Sequence, residues 1–184
     1  MQRPLIRACS ESGAGGMPQY RSAVQRVILT ARLAIVGDSL PLRRAARVIL
    51  LDPDDRVLLM RYDDGPPNGR HWCTPGGGVE AGEEYPAAAL RELAEETGWT
   101  DVDLLREVHQ RTFVMEYAGR MVSQVERLYL ARTDQPRREI SGVEAMHASD
   151  GIAAWRWWTL AEIEATDEEV WPSHLTSLIR SAML

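Results

Sequence analysis

Glu92, Glu95 and Glu96 stand at i, i+3 and i+4 in a chain of 184 residues. On a helix this spacing gathers them on one face, because a turn takes 3.6 residues. Like charges so placed repel by roughly 0.2–0.5 kcal/mol per pair, on a segment that also has Leu90 and Leu93 to bury. A bound cation reverses the sign of that interaction. Carboxylate oxygens are hard ligands, and Mg²⁺ takes a few of them together with waters and substrate phosphates rather than a complete protein cage. His71, His109, His147 and His174 are scattered along the chain, so zinc is not expected. Just ahead of the acidic stretch, Pro75-Gly76-Gly77-Gly78 nearly lacks side chains, which lets backbone atoms approach a ligand closely. A carboxylate face beside a glycine loop reads as a metal–diphosphate site. The competing reading is an exposed acidic helix with solvated charges.

Spacing decides between the two. Gly77, Glu83, Arg91, Glu92, Leu93, Glu95, Glu96, Gly98 and Trp99 occupy the fixed places of the pattern G-x5-E-x7-R-E-U-x-E-E-x-G-U, where U is bulky and apolar. Most of these places demand one residue type. At a background of roughly 5–7% per type, a chance match is on the order of 10⁻⁹ per starting position. The segment 77–99 therefore resembles the Nudix box, with Trp99 its one soft departure from the usual aliphatic residue.

The resemblance implies an α/β fold of the Nudix type, an α/β/α sandwich with a mixed β-sheet. It implies a hydrolase that binds Mg²⁺ or Mn²⁺ and cleaves a diphosphate linkage in a nucleoside diphosphate derivative, with water attacking phosphorus. Carried onto this chain, Glu92, Glu95 and Glu96 become the metal carboxylates, with the carbonyl of Gly77 as a further ligand. Glu92 or Glu96 serves alternatively as the base that activates water. Arg91 is expected to orient a glutamate rather than touch phosphate, and Glu83 to steady the junction of loop and helix. Family enzymes often add a carboxylate from outside the box. Glu126, Glu139, Glu144 and Asp150 are candidates, with Glu144 preferred for its place in a polar loop.

The rest of the substrate has to be held elsewhere. Arg47, Arg61 and Arg70 flank the region ahead of the box and are candidates to meet phosphates. Tyr117 lies where some dinucleoside-polyphosphate hydrolases of the family carry a tyrosine. Trp72, Phe113, Trp155, Trp157 and Trp158 are candidates to stack on a ring, although core packing is the favoured reading for each of them. Trp157 and Trp158 are neighbours in an expected strand and so face opposite ways.

The elements that position these residues follow from the pattern. Val48–Leu51 and Val57–Met60 read as strands on either side of Asp52-Pro53-Asp54-Asp55 and resemble a hairpin. Residues 84–97 form the clearest helix, with Pro86 in its first turn and Gly98 at its end. Leu90, Leu93 and Ala94 supply its expected inward stripe. Strands are expected over 108–117, 121–131 and 152–158. Thr159 with Glu162 forms a capping box for a short helix, and Pro172 precedes a last one carrying Leu175, Leu178 and Ile179. Strands on both sides of the central helix argue for a mixed sheet with helices packed on it. The Nudix-like domain is expected over 43–184. Residues 1–42 form an extension, with a possible helix near 22–36, and Met17 is an alternative first residue.

Apolar residues make up 45% and charged residues 26%, an ordinary globular mixture that excludes collagen-like and disordered classes. All 21 basic residues are arginine, and the net charge is −6. An acidic body disfavours unspecific contact with a phosphate backbone. The expected partner is a small-molecule nucleotide, with no nucleic acid, no membrane and a possible homodimer; the expected location is cytoplasmic. Two further readings remain open: a nucleotide-sensing module without turnover, and an isomerase on the same fold that uses Cys73.

Overall fold

A computed structural model describes residues 40–63 and 69–184. The helix expected near 22–36 lies outside the described residues. Twelve elements follow in chain order: β1 (Leu42–Leu51), β2 (Val57–Asp63), β3 (Arg70–Cys73), β4 (Gly76–Gly78), α1 (Tyr85–Thr97), β5 (Leu104–Tyr117), β6 (Arg120–Arg132), α2 (Glu144–Asp150), β7 (Ile152–Trp158), α3 (Leu160–Ala165), β8 (Val170–Trp171) and α4 (Leu175–Ala182).

The strands form one mixed sheet in the order β5-β6-β1-β2-β3-β8, with β4 added to β1 and β7 added to β2. β1 runs parallel to β6 and antiparallel to β4. The expected hairpin of β1 and β2 exists only at its turn, where Leu51 faces Val57. Beyond that pair the two strands part. β1 continues beside β6 and β4, while β2 continues beside β3 and β7. Turn chemistry at Asp52 fixes the reversal, but the partners further along are chosen by packing. The parting lets the glycine strand β4 lie against β1 at the mouth of the sheet.

Side chains alternate across each strand. Ala46, Val48 and Leu50 of β1, Leu58 and Met60 of β2 and Trp157 of β7 pack under α1. Ile49, Leu51, Val57, Leu59 and Trp158 form the opposite layer with Leu175 and Ile179 of α4. Helices thus cover both faces, which is the α/β/α arrangement expected. Trp157 and Trp158 do face opposite ways, and both are buried.

α1 is rotated relative to the expected stripe. Its buried residues are Tyr85, Ala88, Ala89, Leu93, Glu96 and Thr97, whereas Leu90 is 36% exposed. At 100° per residue, Leu90 lies well off the line joining Tyr85, Ala89 and Leu93. The rotation carries Glu96 inward. Pro86 sits in the first turn, and Gly98, in a left-handed conformation, donates its N–H to the Ala94 carbonyl at 2.7 Å. A second difference is α2, about two helical turns where the sequence reads as a polar loop.

Candidate active site

The site is built where β4 meets α1. β4 consists of Gly76, Gly77 and Gly78, paired with Arg47, Ala46 and Ala45 of β1. Gly76 is obligatory on steric grounds, and Gly77 leaves room for a side chain of the site. Gly76 has φ +135°, and a Cβ there would stand 2.3 Å from the Ala46 carbonyl oxygen. A Cβ at Gly77 would stand 2.5–2.8 Å from the carboxylate atoms of Glu92. The missing side chain is thus the space into which the Glu92 carboxylate fits.

Arg91 organises the acidic face. Its Nε and Nη2 donate to both carboxylate oxygens of Glu83, at 3.0 and 3.1 Å. Nη2 also donates to the Gly78 carbonyl at 2.8 Å. Nη1 is shared between Glu92 Oε1 and Glu95 Oε2, each at 3.0 Å. Glu83 in turn accepts from the backbone N–H of Glu80 at 2.9 Å. One guanidinium therefore ties the loop ahead of the helix, the glycine strand and two of the three glutamates together. Burial lifts the Glu92 carboxyl above its ordinary range, against the pull of Arg91, and the charge of Glu95 adds to the rise.

Glu96 is different in kind. It is only 3% exposed. Its Oε1 accepts from the Tyr62 hydroxyl at 2.6 Å and its Oε2 from the Gly76 N–H at 2.9 Å. Burial pushes its carboxyl up to about 7; those two hydrogen bonds and the positive charge of Arg47 act against the rise, and the charge of Glu92 adds to it. Its main chain is also held, since His147 Nε2 lies 2.6 Å from the Glu96 carbonyl oxygen. Neither Tyr62 nor His147 was singled out from sequence. Tyr62 is 34 positions from Glu96 and His147 is 51, and no local spacing links them.

A second buried carboxylate lies across β1. Glu126 on β6 is 1% exposed and stands level with Ala45 in the register. It accepts from Arg47 Nε at 2.9 Å, from Arg111 and from Gln124 Nε2 at 3.2 Å. Burial alone would raise this carboxyl, but Arg47 and Arg111 outweigh it and hold it low. Arg47 also donates to the Thr74 carbonyl at 2.8 Å, so it braces the approach to β4.

The other candidates from sequence lie at varied distances from this centre. Arg61 on β2 holds its guanidinium over the Trp72 ring, 5.7 Å from the centroid. Arg70 is exposed and paired with Asp63 at 2.8 Å. Tyr117 is 50% exposed at the tip of the β5–β6 hairpin. Its ring lies under the guanidinium of Arg43 at 4.2 Å, and Arg43 Nη2 would be 3.5 Å from a Cβ at Gly78. Tyr117 is thus separated from the glycine strand by one arginine side chain. Glu144 opens α2 as an exposed residue and accepts from the Gly142 N–H at 3.2 Å. Trp72, Trp157 and Trp158 belong to the core. Cys73 is buried beside Arg47 and Glu126, and burial pushes its thiol up.

The donor set suits a hard divalent cation. All three glutamates offer oxygen, and Glu92 lies against the backbone of Gly77. Burial raises the carboxyls of Glu92 and Glu96, and a neighbouring glutamate charge adds to each rise, Glu95 to Glu92 and Glu92 to Glu96; a bound cation would oppose both. Among the described residues no three Asp, Glu, His or Cys side chains already converge as a cation cage. Glu92 and Glu95 face the Arg91 guanidinium instead, so a cation would compete with it for their oxygens. Bound there, a divalent ion would neutralise phosphate oxygens and lower the pKa of a coordinated water.

A family description, NUDIX domain, matches residues 41–179. The chain is 29% identical over 133 residues to the RNA pyrophosphohydrolase of Pelagibacter ubique, a match spanning 68% of this chain and 81% of that protein. It is 31% identical over 137 residues to the RNA pyrophosphohydrolase of Sphingopyxis alaskensis, spanning 69% and 84%. Among solved structures, the Caenorhabditis elegans Ap4A hydrolase binary complex superposes with a TM-score of 0.52 at 25% identity, covering 77% of this chain and 96% of that one. The MutT protein of Methanosarcina mazei superposes with a TM-score of 0.59 at 18% identity, covering 79% and 95%, a likeness of fold. No helix among the described residues is long and apolar enough to cross a membrane.

Proposed function

The chain belongs to the Nudix family as a pyrophosphohydrolase, and we propose that it acts on the 5′-polyphosphate of a nucleotide with Mg²⁺ or Mn²⁺ held by Glu92, Glu95 and Glu96. The observation that carries this reading is the geometry of those carboxylates: Glu92 against Gly77, Glu96 buried behind the Gly76 N–H, Glu95 half-exposed on the same helix. The carbonyl of Gly77 is a further ligand. Arg91 holds Glu92 and Glu95 in register and does not contact substrate. Glu96, with its carboxyl raised to about 7, sits near the point where a group can exchange a proton at neutral pH. A water activated at this face attacks one phosphorus, and a phosphate-bearing fragment leaves. The ion supplies charge neutralisation and an acidified water; the chain supplies position.

The preferred substrate is the 5′-triphosphate end of an RNA. The relatives whose names carry that activity align over most of both chains. A protein of net charge −6 can grip such an end through a metal-bound diphosphate without holding a long phosphate backbone. Dinucleoside polyphosphate is the second reading, favoured by the likeness to Ap4A hydrolase and by the exposed ring of Tyr117 under Arg43. Cytoplasmic location and a homodimer are compatible with either.

A substrate panel tests the proposal: 5′-triphosphorylated RNA, Ap4A, canonical and oxidised dNTPs, ADP-ribose, NADH and sugar nucleotides, each with Mg²⁺ and with Mn²⁺. The expected result is release of phosphate or pyrophosphate fastest from the RNA. Turnover of Ap4A alone would replace that substrate by the second reading. No turnover of any compound would favour a sensing module.

A further inference from the structure

Glu96 is held from outside the box at two points, and this arrangement goes beyond what the motif itself specifies. Tyr62 lies near the end of β2, and its ring has two aromatic or cationic neighbours. It stacks on His71 with centroids 5.6 Å apart, and His71 stacks in turn on Trp171 at 3.8 Å. The guanidinium of Arg47 lies over the Tyr62 ring, 6.0 Å from its centroid. The Tyr62 hydroxyl donates to Glu96 Oε1 at 2.6 Å. The Gly76 N–H takes the second oxygen at 2.9 Å. An ionised carboxylate has about four lone-pair sites. Two are engaged, so the group is oriented yet retains acceptor capacity for a cation.

The second hold is on the main chain. α1 ends at Thr97, so the Glu96 carbonyl has no N–H one turn further on to accept from. His147 of α2 supplies the missing donor through Nε2 at 2.6 Å. The start of α2 lies close to the end of α1, where Val143 Cγ1 would stand 3.6 Å from a Cβ at Gly98. The last turn of α1 is therefore fixed from the β6–β7 connection while the carboxylate is fixed from β2.

We propose that Tyr62 and His147 are positioning residues for Glu96: the phenol orients its carboxylate and the imidazole fixes its main chain, so that the metal meets this ligand in one orientation. Neither residue touches substrate. The inference rests on the placement of Glu96 in the metal site proposed above.

Two readouts test it, turnover and Mn²⁺ binding measured by electron paramagnetic resonance without substrate. Tyr62→Phe keeps the ring and its stacking but loses the donor. It is expected to weaken Mn²⁺ binding about 10-fold, since supporting hydrogen bonds to a ligand contribute 10–100-fold to metal affinity. It is expected to lower kcat by a similar factor with KM within about twofold, because ground-state substrate contacts are untouched. His147→Ala should give a smaller loss of about threefold to 10-fold. His147→Gln, whose amide can donate to the same carbonyl, should restore it. A purely structural role would lower the melting temperature and leave Mn²⁺ affinity and kcat per folded molecule unchanged. Wild-type Mn²⁺ affinity in Tyr62→Phe, or a loss confined to KM, overturns the inference. Glu96→Gln serves as the control. If it is inactive while Tyr62→Phe is normal, the inference alone fails; if it remains active, the placement of Glu96 fails and takes the inference with it.

Discussion

Asp52 and Glu96 are both carboxylates removed from water, and the fold treats them in opposite ways. Asp52, at the turn between β1 and β2, is 0% exposed. Its oxygens accept from the N–H groups of Asp54 and Arg56 at 2.9 Å, from the N–H of Arg137 at 3.2 Å and from the Arg56 guanidinium at 3.1 Å. Burial alone would raise its carboxyl, but those donors outweigh it and hold it below the ordinary value. Among the described residues the Glu96 carboxylate has two donors and no salt-bridged cation, and burial wins there. A saturated buried carboxylate is a strut. An oriented but unsaturated one has capacity left for a ligand. Glu126 falls with Asp52, since Arg47 and Arg111 neutralise it.

The largest expected effect separates the two directly. Glu96→Gln should lower kcat at least about 100-fold, the scale on which a preorganised electrostatic group is lost, with the fold intact by circular dichroism. Asp52→Asn should leave kcat per folded molecule unchanged. Equal losses of rate in both variants would erase the distinction.

Gly77→Ala sharpens the contrast from the ligand side. Its Cβ would meet the Glu92 carboxylate at 2.5–2.8 Å, so that side chain must turn away. Mn²⁺ affinity should fall about 10-fold or more, with only a small change in melting temperature. Unaltered metal affinity would mean that the position of Glu92 in the fold is not its working position.

For Asp52→Asn the expected effect is on stability. Loss of charge-assisted hydrogen bonds at a buried site should cost about 1–3 kcal/mol in denaturant unfolding. A neutral result would show that the strut is redundant.

A further effect is in pH dependence without metal. The Glu96 carboxyl is raised in the folded state to about 7. Its contribution is therefore fully present below the unfolded value, near 4.3, and is lost as pH rises through about 7. Removing the charge should make Glu96→Gln melt higher than the native chain at pH 8, with the gap closing towards pH 5. Asp52 has the opposite sign: its contribution is present above the unfolded value, near 3.9, and is lost as pH falls through its lower folded value. The gap between the native chain and Asp52→Asn should thus narrow only in acid, below about pH 4. Thermal melts of the three proteins across pH 3–8 check both signs.

What could be read from the residues was whatever repeats over a turn or two of chain. The i, i+3, i+4 glutamates, Pro86 in the first turn, Gly98 at the end of α1 and the capping box of Thr159 with Glu162 all appear where local chemistry puts them. The partners of Glu96 were not legible. Tyr62 reaches it because β1 and β2 part after a single pair, a choice made by packing of the whole sheet. His147 reaches it because seven residues without an apolar stripe form α2 against the end of α1. The inward turn of Glu96 itself was hidden for a related reason. Hydrophobic periodicity favours Leu90 as a core residue, whereas the fold exposes it so that a charged group can take the buried position.

The placement of the metal is tested most directly by anomalous diffraction from crystals soaked with Mn²⁺ and a non-hydrolysable nucleotide 5′-polyphosphate. The expected result is an anomalous peak within about 2.0–2.3 Å of carboxylate oxygens of the Glu92–Glu96 face, beside Gly77, and bridged to the phosphates. A peak bound elsewhere on the chain, or phosphates seated away from this face, would contradict it.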